Sequence, residues 1–157
     1  MTKVPMTPKG HKKLHERLKH LKAVERPKNI LAIETARGHG DLSENADYDA
    51  AKEAQAHLSR EIAEIEDKLA RAHVIDPATL NHSKVTFGAT VTLEESENGS
   101  KLTYQIVGGF ESDIKLGKIS VESPIARALI GKEKGDVVQV HTPKGSKEFE
   151  ILSIQYK

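Results

Sequence analysis

Leu58-Ser59-Arg60-Glu61-Ile62-Ala63-Glu64-Ile65-Glu66-Asp67-Lys68-Leu69-Ala70-Arg71-Ala72 decides the architecture. Its apolar residues, Leu58, Ile62, Ile65, Leu69 and Ala72, are spaced four, three, four and three apart, the seam of a coiled coil. Run backwards, the seam meets Gln55, Ala51, Tyr48 and Glu44, so it thins toward small and polar residues. A helix over 43–73 is expected. Before it, Gly38-His39-Gly40 permits a tight connection.

Upstream of that break, residues 8–37 read as a second helix. Leu14, Leu18 and Leu21 share one face, and Ile30 and Leu31 are expected to continue it. Thr7 is the expected cap, with Pro8 at the first helical position. Pro27 interrupts the pattern, and an interior proline predicts a bend. Two helices joined by a short loop fold back antiparallel. That sets Leu18 near Ile62 and Leu14 near Ile65, in a hairpin roughly 40 Å long.

Downstream, the period changes at Asp76-Pro77. Residues 85–93 alternate as a strand, Asn98-Gly99 signals a hairpin turn, and Leu102–Val107 is the expected partner strand. Ile119-Ser120-Val121 is a short strand. Ser123-Pro124 opens a short helix that ends at Gly131. Val137–Val140 and Phe149–Ile154 pair across Pro143-Lys144-Gly145. The expected class is α+β with two domains, residues 1–76 as an antiparallel α-helical coiled-coil hairpin and 77–157 as a small antiparallel sheet with one short helix.

Composition agrees with this division. Only six aromatics occur, and five of them lie after residue 86, so the first half has little with which to fill a globular core. The absence of Cys excludes disulfides, thiolate metal sites and a cysteine nucleophile. The N-terminal stretch lacks the apolar core of a signal peptide, and no run is long enough for a membrane span. A cytoplasmic protein with no membrane partner is expected.

The net charge of +1 hides a separation. Residues 1–37 carry ten basic and three acidic side chains, whereas residues 41–67 carry two basic and nine acidic ones. Opposite signs on neighbouring helices attract; a basic base with an acidic tip also suits work beside nucleic acid. The basic run from Lys9 to Lys28 reads equally as solvated surface and as a nucleic-acid footprint.

The tip is the candidate site. Residues 40–49 hold Asp41, Glu44, Asp47 and Asp49 and no basic side chain. Asp41 and Glu44 stand three apart, which on a helix makes them neighbours and suits a hard cation such as Mg²⁺. The same spacing also has the form of a capping box, and acids favour the first turn of a helix. Capping accounts less well for Asp47 and Asp49. Arg37 and Lys52 fall within a few turns of the tip. No nucleotide-binding loop, Walker motif or nucleophile elbow is present.

Four ordered blocks carry a resemblance. They are Gly40-Asp41-Leu42-Ser43-Glu44-Asn45-Ala46-Asp47-Tyr48, Val74-Ile75-Asp76, Phe87-Gly88-Ala89-Thr90-Val91, and residues 123–131, Ser-Pro-Ile-Ala-Arg-Ala-Leu-Ile-Gly. Through them the whole chain resembles the Gre family of bacterial transcript-cleavage factors, closest to its GreA-type branch. The resemblance implies a C-terminal domain of FKBP-like fold that docks on bacterial RNA polymerase. It also implies a hairpin that threads the polymerase secondary channel. Asp41 and Glu44 would help hold a Mg²⁺ shared with the polymerase and activate a water that cuts the nascent RNA 3′ end of a backtracked complex. Arg37 and Lys52 would steer that RNA. The factor would act as a monomer and as an accessory, not as an enzyme alone. A non-catalytic channel inhibitor of the same architecture is the alternative. A prolyl isomerase would need an aromatic-lined pocket that few aromatics remain to build. A generic coiled-coil adaptor would make the tip acids dispensable.

Overall fold

The computed structural model describes residues 2–40, 45–80 and 83–157. It is α+β, with an N-terminal helical hairpin and a C-terminal five-stranded sheet. Two compact units emerge from the contacts, one built on His11–Ala72 and the other on Lys3–Gly10 together with His73–Lys157.

In the hairpin, α1 (Pro8–His20) runs into a π-helical turn, Leu21–Glu25, and continues as α2 (Arg26–Arg37). The return arm is α3 (Ala46–Ala70). Thr7 caps α1 as expected, its Oγ1 accepting the Gly10 N–H at 3.1 Å. Burial on α3 follows the seam: Ala51, Ile62 and Ile65 are buried, and Tyr48, Gln55, Leu58 and Leu69 are half-buried. Across the arms, Arg17 donates twice to the Glu61 carboxylate at 3.0 and 3.3 Å, one residue from the expected Leu18–Ile62 level. Lys22 faces Glu66 at 3.5 Å. These pairs are exposed, so the opposite charges guide pairing more than they stabilise it.

The first arm departs from expectation beyond Leu21. Ile30 and Leu31 are exposed, and Ile33 and Ala36 are buried in their place. The burial of Ile33 and Ala36 follows from the π-helical turn, which takes in one residue more than an α-turn. Arg26 N–H accordingly donates to Leu21 O, five residues back. One added residue rotates everything after it by about 100°. The inward positions become Glu25, Asn29, Ile33 and Ala36 instead of Glu25, Lys28, Ala32 and Thr35. Pro27 stands directly after this turn, inside the first turn of α2. Its missing N–H breaks the α-ladder there in any case, so the helix widens where the ladder is already interrupted.

In the second unit, β1 (Val4–Met6) pairs with β2 (Ala72–Val74), and Ile75 N–H donates to Met6 O at 2.8 Å. The main sheet contains β3 (Thr90–Glu95), β4 (Lys101–Val107), β5 (Lys118–Ser120), β6 (Val137–Thr142) and β7 (Gly145–Gln155). Their spatial order is β5-β4-β3-β7-β6. The expectation of a wholly antiparallel sheet is corrected here, because β5 runs parallel to β4. Residues 108–117 do not form a hairpin. They travel through two 3₁₀ turns, Gly109–Glu111 and Ile114–Leu116, and bring Lys118 back beside Gln105, so that β5 runs alongside the last three residues of β4. The strand expected over 85–93 begins only at Thr90, since Gly88 takes φ +88° in a turn closed by Ala89 N–H to Thr86 O.

Twelve buried residues, among them Val85, Leu93, Ile106, Leu129, Phe149 and Ile151, form one core under the sheet. The short helix α4 (Pro124–Leu129) seals it with Ala126 and Leu129. Ser123 caps that helix through the Ala126 N–H at 3.3 Å, with Pro124 first inside, as its sequence predicts. Phe149 lies in the core, and Tyr104 and Tyr156 pack against it. These three aromatics serve packing of the core. No helix among the described residues is long and apolar enough to cross a membrane.

Candidate functional site

The end of the hairpin is built from the last turn of α2 and the first turn of α3. Asp41 and Glu44 lie outside the described residues. Their immediate successor, Asn45, is described, and it is buried despite its polarity. Asn45 Oδ1 accepts the Tyr48 N–H at 3.1 Å and so caps α3. Its Nδ2 donates to Ala36 O at 2.6 Å, on the opposite arm. The Ala36 carbonyl, which already accepts the His39 N–H at 3.1 Å, thereby gains a second donor, and a free N–H at the start of α3 gains a partner. The cap that opens α3 is therefore the Asn45 amide.

Asp47 and Asp49 occupy the first turn of α3, where the helix dipole favours negative charge. Asp47 also faces His39 Nδ1 at 3.5 Å. Arg37 ends α2 and is exposed. Lys52 is exposed on α3, and its Nζ donates to Gln55 Oε1 at 2.8 Å. Gly40 takes φ +101°, a backbone conformation that favours glycine.

One further cross-link lies deeper in the hairpin. Asn29 Nδ2 donates to Ala51 O at 3.0 Å. Neither Asn29 nor Asn45 stands out from apolar spacing. Asn45 had a legible signal, an Asn just before a helix. Asn29 had none, because its inward direction depends on the π-helical turn.

Among the described residues, no group of three or more His, Asp or Glu side chains can hold a metal ion. Two carboxylates at 41 and 44 are the oxygen donors that a hard divalent cation takes, but they are too few to enclose one.

Fold and site together define a helical hairpin with a stapled acidic end, joined in sequence to a small α+β unit. Residues 4–74 match the family described as "Transcription elongation factor, N-terminal", and residues 80–156 match "Transcription elongation factor, GreA/GreB, C-term". The chain belongs to the GreA/GreB family of transcription elongation factors. It is 58% identical over 156 residues to a protein of Phenylobacterium zucineum named transcription elongation factor GreA, with 99% of each chain covered. It is 57% identical over 157 residues to the protein of the same name in Alkalilimnicola ehrlichii, again with 99% of each chain covered. The crystal structure of GreA factor homolog 1 (Gfh1) of Thermus thermophilus is 29% identical, with a TM-score of 0.44 over 98% of this chain and 99% of that one.

Proposed function

We propose that this transcription elongation factor rescues backtracked bacterial RNA polymerase by stimulating cleavage of the nascent RNA 3′ end. Residues 77–157, with an FKBP-like fold, dock on the polymerase. Residues 1–76 form a coiled-coil hairpin that reaches the active centre through the secondary channel. Asp41 and Glu44 add two carboxylates to a Mg²⁺ whose remaining ligands belong to the polymerase. That ion supplies Lewis-acid stabilisation of charge on the phosphate under attack. The two acids orient the ion and the attacking water, and Arg37 and Lys52 offer positive charge to the displaced RNA. The factor alone is no nuclease, and it acts as a monomer.

The observation that carries this reading is the fixing of Asn45, the residue that follows the acidic segment. A buried asparagine bonded to both arms directly follows residue 44. A linker or adaptor tip has no need of such fixing. Full-length identity to relatives named transcription elongation factors supports it.

The test uses stalled, backtracked elongation complexes with labelled RNA. Wild-type protein with Mg²⁺ is expected to release 3′ fragments. Asp41→Asn and Glu44→Gln each remove one formal charge and are expected to lower the rate at saturating factor by about a hundredfold or more, with binding retained. Wild-type rates in both variants would refute the role of the acids. Binding without cleavage by the wild type would favour the inhibitor reading.

A further inference from the structure

The packing near the end of the hairpin is built largely of alanine. Ala36 and Ala51 are buried there beside Ile33 and Asn45, and Ala32, Ala50 and Ala54 line the groove between the arms. Alanine against alanine packs nearly as well after a slip as before it. Such a seam needs another device if its two arms are to hold one register. A slip of one residue would move one arm along the axis by about 1.5 Å and change its facing by about 100°.

Two side-chain amides supply what the alanines lack. Asn29 reaches from α2 to Ala51 O on α3, at 3.0 Å. Asn45 reaches from the start of α3 to Ala36 O at the end of α2, at 2.6 Å. The bonds run in opposite directions between the arms, so displacement either way breaks both. Asn45 is buried and Asn29 half-buried, so a slipped hairpin would strand amide donors with no partner. Asn29 faces inward only because the π-helical turn at Leu21–Glu25 advances the register by one; an unbroken α-helix would place Lys28 there.

We infer that Asn29 and Asn45 are positioning residues which, with the π-helical turn, lock the register of the two arms and thereby set where the segment 41–44 is presented. This rests on the reading of that segment as the working end in transcript cleavage. A register lock differs from an ordinary stabilising contact in one measurable way. A polar group in an apolar seam specifies register at a cost in stability. Replacing it with an apolar residue of similar size therefore loosens the register without weakening the fold.

Two variants separate these effects. Asn29→Leu exchanges the amide for an apolar isostere. Asn45→Asp keeps an oxygen to cap the Tyr48 N–H but removes the donor to Ala36 O. Both are expected to bind polymerase with unchanged affinity and to cleave at least about tenfold more slowly at saturating factor. Asn29→Leu is expected to melt at or above the wild-type temperature. The chain has no Cys, so spin labels on Glu34→Cys and Glu53→Cys read the inter-arm distance without polymerase. One narrow distribution is expected in the otherwise unaltered protein, and a broadened or double one in either variant. Unchanged distributions in both variants would overturn the lock. A loss of cleavage that merely tracks a lower melting temperature in Asn29→Leu would overturn it too. If unaltered protein failed to stimulate cleavage, the functional reading would fall, and the distance measurement would still decide the lock.

Discussion

Gly117 and Gly99 both adopt positive φ, at +73° and +70°, but they answer to different constraints. Gly99 closes the turn between β3 and β4, and a Cβ there would meet only the flexible end of Glu94 at 3.7 Å. Gly117 precedes β5, and its Cβ would lie 2.8 Å from Thr103 O, a backbone atom held by the sheet. Gly117 O also accepts the Gln105 N–H at 2.7 Å, so the residue has little freedom to move aside. Gly99→Ala therefore carries the conformational penalty alone, about 1 kcal/mol. Gly117→Ala adds a clash that the backbone must relieve, for a total of about 3 kcal/mol. Urea unfolding of the two variants should show this order. Equal midpoints would mean that the sheet edge yields more easily than its hydrogen bonds imply.

At the scale of elements, α3 was legible and α2 was not. The spacing of Leu58, Ile62, Ile65 and Leu69 faces the partner arm because nothing interrupts α3. The same arithmetic carried through Leu21–Glu25 selects Lys28, Ala32 and Thr35 and misses Asn29, Ile33 and Ala36, since it assumes one helical period there; Ile30 and Leu31 were assigned inward on their apolarity, not on spacing. Pro27 announced an interruption in the sequence but not its form, because a kink and a π-helical turn both accommodate a proline. The parallel β5 was hidden likewise: three residues of strand carry no mark of direction, and residues 108–117 had to be seen as a crossover. Of the two cross-arm amides, Asn45 carried the ordinary signal of an Asn before a helix, whereas Asn29 carried none because its inward direction depends on the π-helical turn. The π-helical turn gives a direct prediction. Deleting exposed Val24 should remove the extra residue and return the arm to α-spacing while Asn29, Ile33 and Ala36 keep facing inward. The variant should therefore lose no more than about 1 kcal/mol, whereas Ile33→Ala, which empties a buried position, should lose about 2 kcal/mol or more. Thermal unfolding followed by circular dichroism checks the order. A deletion as damaging as Ile33→Ala would show that Ile33 had been turned out of the seam.

At the scale of the whole molecule, the N-terminal strap is the element that sequence order conceals. Lys3–Gly10 clusters with His73–Lys157, although the helix that it opens belongs largely to the other unit. Met6 is fully buried and its carbonyl accepts the Ile75 N–H. Glu111 gathers the same strap, its carboxylate accepting the Thr7 N–H at 3.1 Å, the Gly108 N–H at 3.2 Å and the Thr7 hydroxyl. Residues 3–10 carry no pattern that announces a partner more than sixty positions away, because a three-residue strand is too short for periodicity to declare. The main core is independent of the strap, since all twelve of its residues lie between Val85 and Ile151. A fragment comprising residues 73–157 should therefore fold, yet with less stability than the same unit in the full chain. Burial of a methionine contributes about 2 kcal/mol, and hydrogen bonds to a charged carboxylate add about 1.5 kcal/mol or more. Against the roughly 8 kcal/mol typical of a domain this size, the fragment should keep about half its stability. Tyr104 and Tyr156 ring resonances, followed by NMR through a urea titration of fragment and full chain, report on this core alone. In the full chain, Glu111→Gln should move the transition part of the way toward the fragment's midpoint. Coincident transitions for all three proteins would show that the strap rests on the unit without stabilising it.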